Sequence, residues 1–86
     1  MTSQRIDPQL KSALETDPDA TRDLLIRVER ADDETQRALE ELGLDIRRRL
    51  QLVPTFAVSG RGGSVLRLLD RPWVKQIEDD RPVHTM

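Results

Sequence analysis

Leu24, Ile26 and Val28 alternate with other positions in "DLLIRVE", the two-residue period of a strand with one buried face. The period then changes. In "DDETQRALEELG" a helical stripe of Thr35, Ala38, Leu39 and Leu42 follows Asp32 or Asp33 as N-cap, with acids in the first turn and Gly43 as the stop. "LDIRRRLQLVPTFAVSG" is long enough for two strands joined near Gln51 to Thr55, with Ile46 and Leu50 on the first and Phe56 and Val58 on the second. Pro54 has no N–H to give a sheet ladder and belongs in the turn or at an edge. "RGGSVLRLLDRP" predicts a second helix that buries Val65, Leu66 and Leu69 and stops at Pro72, and "WVKQIED" predicts a last strand. Gly62 and Gly63 weaken the first turn of that helix by about 1 kcal/mol each relative to Ala. Upstream, "IDPQLKSALETDPDA" reads as a short helix with Asp7 as N-cap, Pro8 at its first position and Leu10, Ala13 and Leu14 on one face. Asp17-Pro18-Asp19 ends it, and the pattern leaves open whether it docks on the rest or stands apart.

Strand, helix, strand, strand, helix, strand is the ferredoxin-like split βαβ order of an α+β fold: two helices on one face of a four-stranded antiparallel sheet. The expected organisation is an N-terminal extension with a short helix (1–21), a domain (22–80) and an extended tail (81–86). The second sheet face is left uncovered, with Leu25, Arg27 and Glu29 as candidates on the first strand. An uncovered face must be polar or must meet a partner.

Composition narrows the function. The chain has 86 residues, 36% hydrophobic and 2% aromatic, so the core is thin and built from Leu, Val, Ile and Ala. Net stability on the order of a few kcal/mol is expected of such a core. Fourteen basic and 16 acidic residues give a net charge of −2, without the single-sign field that gathers phosphate backbones, so nucleic acid is not an expected partner. There is no cysteine, and His84 is the only histidine; neither a metal nor any other cofactor is expected. No segment approaches the roughly 20 apolar residues of a membrane span, and the first residues lack the apolar run of a secretory signal. A cytoplasmic chain that is monomeric when free is the expectation, or a secreted one if a leader has been removed.

"FAVSG", "RPWVKQIEDDRP" and the ending "VHTM", in this order and on this arrangement of elements, resemble the propeptide domain of subtilisin-type serine proteases and its free-standing inhibitor relatives. The resemblance covers Arg22 to Met86. Pro54-Thr55 stands where that family usually carries Asn-Gly, and Trp73 where Gly is common. With the sequence ending at Met86, the resemblance implies a free-standing inhibitor of subtilisin-like serine proteases, not an enzyme, with assistance to folding of the protease as a second expected role. It implies that the open sheet face packs on two surface helices of the protease. It further implies that Glu78 and Asp80 meet the N-termini of those helices, with Asp79 between them pointing elsewhere. Unpaired backbone donors and the dipole favour an anion there. The tail, Pro82, Val83, His84, Thr85 and Met86, would run as an extended strand into the substrate cleft, as a spent substrate does. Val83 and Met86 would take apolar pockets.

Other readings of the same residues are weaker. His84 near a chain end lacks the support that a catalytic imidazole needs, so a triad with Ser59 or Ser64 is not expected. "SGRGGS" lacks P-loop spacing and its lysine, and reads as the opening of a helix. Arg47, Arg48 and Arg49 in a strand should alternate between faces and act as a solvated edge. Trp73 fits the edge of a core. The alternative function is a ferredoxin-like small-molecule-binding regulatory module that uses backbone groups around Gly60 to Gly63. An RNA reader on this fold would need exposed aromatics, and one Phe in an apolar strand is poor support.

Overall fold

The computed structural model of the chain describes residues 6–80. Its elements are α1 (Pro8–Thr16), β1 (Thr21–Val28), α2 (Asp33–Glu41), β2 (Asp45–Leu50), β3 (Thr55–Arg61), α3 (Gly62–Arg67), which tightens into a 3-10 turn over Leu68–Asp70, and β4 (Val74–Asp79). The strands form one antiparallel sheet in the order β2-β3-β1-β4, and the expected α+β split βαβ architecture is present.

Local chemistry places the helix ends. Asp7 accepts a hydrogen bond from the Gln9 N–H at 3.1 Å and Pro8 opens α1; Asp32 accepts from the Thr35 N–H at 2.9 Å and caps α2. That backbone bond, with a second one from the Thr35 side chain, holds the Asp32 carboxyl below its ordinary value. Gly43 ends α2 with φ of 92°, a conformation that side chains resist.

One sheet face carries Leu24, Ile26, Val28, Phe56, Val58, Val74 and Ile77, and Leu39 of α2 with Val65 and Leu68 close over it in a single core. Two β-bulges decide which residues take part. Val74 and Ile77 are three residues apart and could not share a face of a regular strand. The register shifts between Arg27, opposite Gln76, and Val28, opposite Val74, so both apolar residues turn inward. In β2, Ile46 faces Val58, but the next paired residue is Arg48, opposite Ala57. This second shift sends Arg49 to the helix side, where its Nη1 donates to Asp33 at 2.7 Å and Gln36 at 3.2 Å. Leu50 consequently lies on the open face, 42% exposed.

Residues that were expected to form an N-terminal extension share this core. Leu14 is fully buried and Leu10 nearly so, and Ile6 forms a parallel bridge to Ile77 at the outer side of β4. The approach of α1 to α3 requires Gly62: a Cβ there would stand 3.0 Å from the Leu14 carbonyl oxygen. Burial of Leu14 contributes about 2 kcal/mol. Within the second helical segment one expectation is corrected. Leu68 is fully buried, whereas Leu66 and Leu69 are only half-buried: Leu66 follows the buried Val65 by one position and so faces about 100° away from it, and the tightening to three residues per turn after Arg67 aligns Leu68 rather than Leu69 with Val65.

Candidate interaction face

The strand periodicity that buries Leu24 and Ile26 turns Asp23, Leu25 and Arg27 outward, together with Thr55, Ala57 and Ser59 of β3. Across β1 and β4, Leu25 is paired with Glu78 and Leu24 with Asp79, and the Asp80 N–H donates to the Asp23 carbonyl at 3.0 Å. Glu78 and Asp80 therefore share the open face, and Asp79 turns to the side of α1. β4 itself ends at Asp79.

The face has an apolar centre with charged margins. Leu25 is half-buried and Ala57 almost wholly buried, because their neighbours on the pleated surface shield them. Towards the β2–β3 turn, a shallow hollow of about 240 Å³ is lined by Leu25, Arg27, Leu50, Val53, Thr55 and Glu78. Leu52 at that turn is fully exposed and Val53 53% exposed, so the apolar surface continues to the hairpin tip. At the opposite end a polar hollow of about 270 Å³ is walled by Asp23, Arg47, Arg48, Ala57 and Asp80. Arg47 meets Asp23 there at 3.5 Å, with both side chains at least half exposed. A pair in that setting holds orientation more than it stabilises the fold.

The structure thus brings Glu78, Asp80 and Leu25 onto one surface. Glu29 lies beyond the end of β1, where its N–H donates to the Trp73 carbonyl at 3.1 Å. Trp73 itself is half-buried against the core. Pro82, Val83, His84, Thr85 and Met86 lie outside the described residues. The expected alternation of the three arginines is corrected: Arg47 and Arg48 both line the open face, since the bulge places two residues opposite one, and Arg49 alone is turned away. Sequence patterning also missed Leu50 and Val53 as surface members. Ala57 was legible, lying between two inward residues, Phe56 and Val58.

The other candidate region is closed by α1 and the segment after it. The Gly62 N–H donates to the Ala20 carbonyl at 3.2 Å and the Gly63 N–H to the Pro18 carbonyl at 3.0 Å. Phe56 is fully buried and offers no surface for a base. No helix among the described residues is long and apolar enough to cross a membrane. No family model and no curated protein matches this chain.

Proposed function

We propose that this chain is a proteinaceous inhibitor of subtilisin-like serine proteases that docks through its open sheet face and lays residues 82–86 in the substrate cleft. The observation that carries the reading is the common orientation of Glu78 and Asp80. Both project from the face that presents Leu25 and Ala57, at the strand end from which the chain continues to the tail.

On this reading, the apolar centre of the sheet packs on two surface helices of the protease, and Glu78 and Asp80 accept hydrogen bonds from the free N–H groups at their N-termini. The tail pairs with the cleft as an added strand, main chain to main chain, with Val83 and Met86 in apolar pockets. His84 and Thr85 contribute backbone pairing, and Pro82 reduces the entropy lost when the tail is ordered. A preformed sheet that holds two protease helices in register also gives the chain a means to assist folding of the protease. A regulatory module would instead need free backbone donors around Gly60 to Gly63, and two of these already serve Ala20 and Pro18.

The test is titration of the purified chain against a panel of subtilisin-like proteases, following protease activity and survival of the chain together. Saturable inhibition of at least one member supports the reading. Absence of inhibition across the panel, or a chain that is only digested as a substrate, rejects it.

A further inference from the structure

The row of residues that crosses the middle of the open face reads Arg48, Ala57, Leu25, Glu78 from β2 to β4. Its two ends carry opposite charges and its two middle positions are apolar, one small and one large. Neither Arg48 nor Glu78 forms an ion pair with another described residue. We propose that this face is self-complementary and that two copies of the chain associate through it, face to face, about a two-fold axis parallel to the strands between β3 and β1.

The geometry follows from the strand order. Such an axis carries β2 onto β4 and β3 onto β1 at the same height along the strands. Each Arg48 then lies over the other copy's Glu78, and each Leu25 over the other copy's Ala57, so that large side chains meet small ones. Sheets packed face to face stand about 10 Å apart, a gap that arginine and glutamate can span together. The row nearer the hairpin places Leu50 over Gln76 and Thr55 over Arg27, with no like charges opposed. The row nearer the tail works against the pairing: the same axis lays each Asp45 over the other copy's Asp80 and each Ser59 over the other copy's Asp23, and Arg47 from the bulge, 3.5 Å from Asp23, is the cation that offsets them. Specificity therefore rests on the middle row.

Four strands at about 4.8 Å spacing and six residues of length give a face of roughly 400 Å². That is about half of what one partner contributes to a standard interface, so the dimer is weak. The free chain, expected to be monomeric, is in concentration-dependent equilibrium with it. Self-association hides Leu25 and Glu78, and so competes with protease; this consequence rests on the inhibitor reading, whereas the dimer itself does not.

Sedimentation equilibrium of the full chain from about 5 to 500 μM, without protease, tests the dimer. The average mass should rise towards twice the monomer. Arg48→Glu and Glu78→Arg, each of which opposes like charges twice by symmetry, should stay monomeric with unchanged circular dichroism, and Arg48→Glu combined with Glu78→Arg should associate again. A wild-type chain that is monomeric throughout, or a combined variant that fails to recover while its circular dichroism is native, overturns the proposal. Either failure leaves the inhibitor reading untouched, since no protease is present.

Discussion

Leu25 stands directly opposite Glu78 across the β1–β4 pair, so the apolar centre of the open face abuts a carboxylate at its margin. A surface that covers Leu25 must also meet that charge. Replacing Glu78 by Gln and Asp80 by Asn keeps the shape and removes the charge that favours helix N-termini. Affinity for the protease should fall about ten-fold or more for the pair, while thermal unfolding of the free chain barely moves. Calorimetric titration checks this, and equal affinity would exclude these carboxylates as helix partners.

The last residue offers an independent handle on the tail. Met86→Asp places a charge where the inhibitor reading needs an apolar group, and burying an unpaired carboxylate costs several kcal/mol. Inhibition should weaken by at least 100-fold in steady-state assays. Equal potency would show that the end does not enter the primary pocket.

Docking of α1 is tested from both sides of its contact with α3. Leu14→Ala removes a fully buried side chain and should cost about 2–5 kcal/mol. Gly62→Ala pushes a methyl against the Leu14 backbone, with the carbonyl oxygen 3.0 Å away, and should cost about 1–3 kcal/mol. Urea unfolding followed by Trp73 fluorescence measures both. The two effects should be non-additive, because each loosens the same contact. An unaffected Leu14→Ala variant would mean that α1 contributes nothing to stability.

Asp32 gives the fold a predictable acid response. Its folded-state carboxyl is held below the ordinary 3.8 by the hydrogen bonds from Thr35. The resulting stability is fully present above 3.8 and is lost as pH falls through the lower folded value. Asp32→Asn keeps a capping oxygen but does not titrate. Compared by urea midpoint, wild type should therefore lose stability relative to this variant on acidification below the ordinary carboxylate range. A constant difference at all pH values would contradict the cap.

The elements were legible wherever a local period or stop signal settled them. Leu24, Ile26 and Val28 announced β1 and its buried side, Asp32 and Gly43 bracketed α2, and Pro54 fell in the turn. What stayed hidden depends on partners remote in sequence. The bulge in β2 follows from pairing with β3, and nothing in "DIRRRL" marks where two residues will face one; so Arg48, Arg49 and Leu50 came out on unexpected sides. The docking of α1 depends on the bare backbone at Gly62, some 48 positions from Leu14. Of the site, Leu25 was readable by alternation along β1 and Glu78 and Asp80 only through the resemblance, since the irregular register of β4 breaks its alternation, whereas the complementary charge of Arg48 required the pairing with β3.

The central claim is that the open face and the tail act together on one protease. The most direct measurement compares inhibition of a susceptible subtilisin-like protease by the intact chain and by a chain lacking Val83 to Met86. Among the described residues the core runs from Ile6 to Ile77, so the shortened chain should remain folded and its sheet face intact. Inhibition should weaken by orders of magnitude while residual binding through Glu78 and Asp80 persists. Undiminished inhibition by the shortened chain would contradict the account.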